Sequence, residues 1–150
     1  MNSTEPRSPR TIRSIGGLMH AVRNILQRKT KQALRKLKIS PLEGFELIYV
    51  VESEKDGGVS QSVICELLSV TAPAVVKMTL EMEQMGLIYR QENPEDRRSQ
   101  LLFATEEGKR VYAEFQKIVD AEEEKMLSAC TEEERRELTR ILLKLIEYGS

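Results

Sequence analysis

Few residues in this chain of 150 have types and spacing fit for chemistry, and the most suggestive sit together. Asp96-Arg97-Arg98-Ser99 ends a polar run, ENPEDRRS, that separates two apolar stretches. A carboxylate two residues from a guanidinium is either a surface ion pair worth about 0–1 kcal/mol or a means of preorganising an arginine for an electronegative groove. Elsewhere the chain is poor in reactive groups. One histidine, His20, and two distant cysteines, Cys65 and Cys130, supply no ligand set for a closed zinc site, so neither a metal nor a cofactor is expected. Both thiols read as small packing residues. There is no Ser/His/Asp set and no glycine-rich phosphate loop. The paired acids Glu122–Glu124 and Glu132–Glu134 fall in helical, solvent-facing runs, and the chain is not expected to be an enzyme.

Composition and charge set the background for those residues. The sequence is 40% hydrophobic, 31% charged and only 5% aromatic, with no Trp, which suits packed helices better than a sandwich or barrel. A net charge of −1 conceals a strong polarity. Residues 1–40 carry ten Lys/Arg against the single acid Glu5, whereas residues 106–150 carry twelve acids against eight bases. Such a division fits a molecule that brings one part to phosphate, although a solvated helix face would look the same. No stretch reaches the roughly 20 apolar residues of a membrane span, and the N-terminus has no apolar core of a secretory signal. No membrane association and a cytoplasmic location are therefore expected.

The elements that would position Asp96–Ser99 are legible from periodicity and caps. Residues 1–10 read as a disordered arm. Residues 11–150 read as one domain, with long helices over 11–40 and 106–150 flanking a unit at 41–105. Ile12, Ile15, Leu18/Met19, Val22 and Ile25/Leu26 form an apolar stripe on a helix running to about Leu37. Ser40-Pro41 with Glu43 announces a helix over 41–52 that turns Leu42, Phe45, Leu47, Ile48 and Val51 inward. Ser60 caps a helix over 61–68. Thr71 caps another, with Pro73 in its first turn, that stops at Gly86. Two helices joined by so short a turn form a helix-turn-helix. Residues 87–91 and 100–104 then read as a two-stranded ribbon whose long tip holds Asp96–Ser99, the arrangement of a wing. Thr105 and Thr131 cap two final helices. The first and last helices are apolar enough to need a partner, so a homodimer is expected, with two recognition helices about 34 Å apart. The fold class is mostly α: a winged helix-turn-helix with long N- and C-terminal dimerisation helices.

The stretch VTAPAVVKMTLEMEQMGLIYRQENPEDRRSQLLFATEEGKRV resembles the recognition helix, wing and following helix of the MarR family of bacterial and archaeal regulators. The most specific part is Asp96-Arg97-Arg98-Ser99, which matches a D-x-R wing signature between Gly86-Leu87-Ile88 and Thr105–Gly108. The resemblance implies a sequence-specific double-stranded DNA-binding transcriptional regulator acting on a pseudo-palindromic operator, a repressor released by a small aromatic effector. It implies Arg98 in the minor groove with its guanidinium oriented by Asp96, and Arg97 and Ser99 on phosphate. Arg90 joins this set at the wing's first strand.

In the recognition helix, about 71–85, the expected contacts are Thr71, Ala72, Pro73, Ala74, Val76 and Lys77. Ala72, Pro73 and Ala74 offer only apolar contact, suited to thymine methyl groups, and Lys77 is the one long donor. Ser60, Gln61 and Ser62 open the preceding helix, where free N–H groups could hold phosphate or the serines could simply cap. The string A-P-x-V-x-K-M is also at home in metal-dependent repressors, but a single histidine fits those poorly. The resemblance implies an effector pocket whose candidate walls are His20, Asn24, Phe45 and Tyr49; for His20 a partly buried histidine bonded within the dimer is the reading preferred to ligand contact.

Overall fold

A computed structural model describes residues 14–149 of the chain; the expected N-terminal arm and Ile12 lie outside them. Six α-helices and three strands follow in the order α1 (Ile15–Ala33), α2 (Pro41–Glu52), β1 (Val59–Ser60), α3 (Gln61–Leu68), α4 (Ala72–Gln84), β2 (Ile88–Glu92), β3 (Gln100–Ala104), α5 (Glu106–Leu127) and α6 (Glu132–Gly149). The chain divides into two compact units. One comprises Gln27–Ile118; the other holds the residues up to Leu26 and those from Val119 onward.

The Gln27–Ile118 unit is the winged helix. α1 tightens into a 3₁₀ turn over Leu34–Leu37 and ends on Lys38 in the left-handed conformation. The capping box is present: Ser40 Oγ accepts from Glu43 N at 3.2 Å and Glu43 Oε2 accepts from Ser40 N at 2.6 Å. The inward face of α2 differs from the expected one. Leu47 and Val50 are fully buried together with Gly44 and Glu46, while Phe45 is 41% exposed. The cause is Phe115 on α5, whose ring lies where a Cβ on Gly44 would be. The smallest side chain of α2 therefore faces the largest buried one, and Phe45 meets the same ring edge-on at 5.7 Å from outside. Leu47, Val50, Ile64, Val75, Met82, Leu102 and Phe115 close the core. Burying a Leu- or Phe-sized side chain contributes roughly 1.5–3 kcal/mol.

The sheet has three antiparallel strands in the order β1-β3-β2, one more than the expected two-stranded ribbon. β1 is two residues, Val59 opposite Leu102 and Ser60 opposite Leu101, too short to show any alternation in the sequence. It tethers the start of α3 to the wing strand. Gly57 and Gly58 precede it at φ +93° and +92°, a conformation that costs other residues dearly.

The second unit is built differently. α6 buries none of its residues, although Leu138, Ile141, Leu142, Leu145 and Ile146 recur on one stripe. In the first half of α1, Ile15, Leu18, Met19, Val22 and Ile25 are exposed as well. α6 nevertheless starts from a complete capping box between Thr131 and Glu134. Among the described residues no single helix is long and apolar enough to cross a membrane.

Candidate nucleic-acid interface

α3 stops where Ser69 turns left-handed (φ 52°, ψ 44°), and its N–H and that of Val70 close back on Glu66 O and Cys65 O. α4 opens two residues later with Ala74 and Val75 donating to Thr71 O, and the helix axes bend by 114° across this break. That is helix-turn-helix geometry. Thr71 occupies the N-cap position, yet its hydroxyl makes no capping bond, contrary to the expected cap. Ser60 does cap α3, accepting from Val63 N at 3.4 Å and bonding Ser62 Oγ at 2.9 Å.

α4 presents two opposite faces. Val75, Met78, Thr79 and Met82 are buried. Ala72, Pro73, Val76, Lys77, Leu80, Glu81 and Gln84 are exposed, while Ala74 is half-buried. Lys77 reaches only Glu81, at 3.8 Å, and 77% of its side chain is open. Beneath the helix, the Thr79 hydroxyl donates to Glu46 Oε1 at 2.7 Å; Glu46 Oε2 is buried without a partner. Burial raises the Glu46 carboxyl from 4.5 to about 7, against the Thr79 bond and Arg90, which lower it, and with Glu43 adding repulsion. This polar pair was missed in the sequence. Its signal was two polar residues in core phase, Glu46 between Phe45 and Leu47 and Thr79 beside Met78.

The wing is fixed at its base and shaped at its tip by its own polar groups. Ile88 to Glu92 pair in register with Ala104 to Gln100. The Thr105 hydroxyl donates to Gly86 O at 2.6 Å and accepts from Gly108 N at 3.0 Å. A Cβ on Gly108 would overlap the Leu87 carbonyl, so Gly86-Leu87-Ile88 and Thr105–Gly108 form one joint. Glu54 adds a second anchor, accepting from Ala104 N and from Lys109 Nζ, both at 2.9 Å. At the tip, Asn93 Nδ2 donates to Ser99 Oγ at 2.9 Å, and Asp96 O accepts from Ser99 N at 3.0 Å.

Asp96 does not orient Arg98 as expected. Its Oδ1 accepts from the Arg98 backbone N–H at 2.9 Å, an Asx turn that fixes the chain and leaves the guanidinium alone. Arg97 and Arg98 are exposed, and among the described residues neither guanidinium has an ion pair or hydrogen bond. Arg90 is otherwise engaged: its Nε donates to Glu83 Oε2 at 2.9 Å, tying β2 to the end of α4. It works as a strut of the wing.

The structure brings the remaining expected residues together in one cleft of about 410 Å³, lined by Ser60, Gln61 and Ser62 at the start of α3 and by Arg97, Arg98, Ser99 and Gln100 of the wing. Gln61 Nε2 is buried there without a partner. Four more cations, Arg28, Lys31, Arg35 and Lys38, line a groove of about 580 Å³ at the end of α1. The effector candidates are divided: His20 and Asn24, both exposed, belong to one unit, and exposed Phe45 and half-buried Tyr49 to the other.

Comparison with known proteins bears on this geometry. Residues 54–100, from the Glu54 anchor through the wing, match the model of the MarR family. A Thauera aromatica protein described as a transcriptional regulatory protein for the hcr operon is 29% identical over 93 residues. That alignment spans 62% of this chain and 56% of the relative's length. The transcriptional regulator HosA of Escherichia coli O111:H- is 23% identical over 127 residues, covering 85% of this chain and 93% of HosA. Among solved structures, the MepR–DNA complex of Staphylococcus aureus covers 90% of this chain and 98% of MepR at 26% identity and a TM-score of 0.78. The chain is thus similar to the MarR family over residues 54–100 and shares the fold of MepR over 90% of its length.

Proposed function

We propose that the chain is a cytoplasmic homodimeric repressor that binds a pseudo-palindromic double-stranded DNA operator and is released by a small aromatic effector. One observation carries the DNA-binding reading. Arg90, Arg110 and the lysines Lys77, Lys109, Lys117 and Lys125 of α4, the wing and α5 are paired with acids, yet Arg97 and Arg98 stand exposed and unpaired on a loop shaped by its own hydrogen bonds. An unpaired guanidinium on such a tip is suited to a narrow minor groove, where negative potential is concentrated. α4 then lies in the major groove. Ser60, Gln61, Ser62 and Ser99 hold a backbone phosphate in the cleft between α3 and the wing, where the unpartnered Gln61 amide supplies a donor.

Dimerisation is supported by the exposed stripes of α1 and α6, which a second copy would cover. Effector release rests on the family resemblance, with Phe45 and Tyr49 of the winged-helix unit as the aromatic side chains able to stack on such a ligand. A salt series on duplex from the region upstream of this gene, with Arg98→Ala beside wild type, tests the proposal. The expected result is a steep fall of log K with log salt and a loss of about tenfold or more in the variant. The apolar outer face of α4 favours a second reading, in which the winged helix binds protein. Binding to duplex that is weak and indifferent to both salt and Arg98 would favour that reading.

A further inference from the structure

We propose that α4 selects its DNA by packing the C5-methyl groups of thymine in the major groove against an apolar stripe formed by Ala72, Pro73, Val76 and Leu80. The inference rests on the DNA-binding reading above and specifies what that helix reads. At about 100° per residue, positions 72, 73, 76 and 80 fall on one stripe, which lies between the buried face of Val75, Met78, Thr79 and Met82 on one side and the exposed Lys77 and Glu81 on the other. The stripe is open: Val76 is 42% and Leu80 46% exposed, and Ala72 and Pro73 are exposed at the helix start.

Groups that could read base edges by hydrogen bonding are scarce on this face. The Thr71 hydroxyl is free at the very start. Lys77 is a flexible point donor drawn toward Glu81, and Glu81 can only accept. The exposed amide of Gln84 comes in the last turn of the helix. Of all base-edge groups in the major groove, the thymine methyl is the one an apolar stripe can recognise. The surroundings point to duplex in preference to a protein partner. Lys77 flanks the stripe, and the same winged-helix unit carries the unpaired Arg97 and Arg98 and the cleft at Ser60–Ser62. A phosphodiester backbone complements that rim, whereas an apolar protein surface would strand those cations.

The test uses the full chain and duplexes it selects from a random-sequence pool, resynthesised with deoxyuridine for thymine. Removing the methyl leaves pairing and the minor-groove edge unchanged. The expected result is enrichment of thymine in the segment beneath α4 and a loss of about fourfold in affinity for each contacted methyl removed. In Val76→Ala and Leu80→Ala, both at exposed positions, the thymine-to-uracil ratio should fall toward one with the salt slope unchanged. Uracil duplexes bound as tightly as thymine ones, with salt dependence and the Arg98→Ala loss intact, would overturn the methyl reading alone. A uracil penalty of equal size in wild type and both variants would also overturn it, since the effect would then lie in DNA shape. No salt-dependent duplex binding at all would remove the DNA-binding reading and this inference with it.

Discussion

The two units of the chain are apolar to similar degrees in sequence and opposite in how they dispose of it. Every buried hydrophobic side chain lies between Leu34 and Phe115, inside the winged helix. In the other unit, the described residues up to Leu26 and from Val119 to Gly149 include none that is buried. The same residue types produce a closed core in one case and open stripes in the other. In the winged helix α2, α3, α4 and the strands pack against one another, and Leu47, Ile64, Leu102 and Phe115 are fully buried among them. The helices of the second unit carry an amphipathic stripe that stays open, with Leu18, Met19 and Val22 on α1 and Ile141, Leu142 and Leu145 on α6 all 37–50% exposed. A periodic stripe states that a face must be covered, and it is silent on whether the cover comes from the same chain.

The largest expected effect breaks this comparison directly. Ile141→Asp combined with Leu145→Asp places two charges on adjacent turns of the α6 stripe, where covered positions tolerate them badly. Sedimentation should show wild type as two chains and the variant as one. Operator affinity should drop by more than about a hundredfold, because a single half-site remains. The winged-helix unit should keep its fold. A variant that stays dimeric, or a wild-type monomer at micromolar concentration, would show that the open stripe is not an interface between copies.

Glu46 is the place where the closed core is least self-sufficient, and it gives the next effect in size. Its folded pKa of about 7 stands above the ordinary 4.5, so the folded state holds the proton more tightly. The stabilisation is fully present below about pH 4.5, is lost as pH rises toward 7, and stays lost above it. The difference is worth on the order of 3 kcal/mol. Glu46→Gln keeps an acceptor for the Thr79 hydroxyl and cannot ionise. Urea midpoints at fixed protein concentration should decline between pH 5 and 7 in wild type and stay level in the variant. Parallel profiles would mean the carboxylate is compensated as an anion, and the contrast between the closed core and the open stripes would be sharper still.

Much of this was legible in the sequence because caps and periodicity are local. Ser40–Glu43, Thr131–Glu134 and Thr105–Gly108 each mark a helix start by bonds spanning three residues, and Gly86 marks a helix end by its φ of 70°. What escaped depends on contacts far apart in the chain. β1 is defined only by its partner β3 some forty residues on. Phe45 was turned outward by a glycine meeting Phe115, and Glu46 was turned inward beside Thr79. The exposure of Arg97 and Arg98 on a polar tip follows from their place between two apolar runs, whereas Arg90 looked free because Glu83, its partner, precedes it across the Gly86 turn. The contact of Asp96 is with the Arg98 backbone and not its guanidinium, and spacing cannot distinguish a carboxylate that holds a guanidinium from one that holds the backbone beneath it.

That distinction yields the smallest effect and the finest test of how self-contained the winged helix is. If Asp96 acts through the Arg98 N–H, Asp96→Asn should be nearly silent, because an asparagine side-chain oxygen forms the same turn. Asp96→Ala removes the turn, frees the tip and lowers operator affinity by roughly three- to tenfold, with stability changed by no more than about 1 kcal/mol. If the carboxylate instead acted on the guanidinium through charge, Asn and Ala would weaken binding alike, and the loss would shrink at high salt. Equal losses in both variants would therefore mean that the wing is organised when DNA arrives. A loss in Ala alone means the tip is built in advance by its own chain, as the core beneath it is.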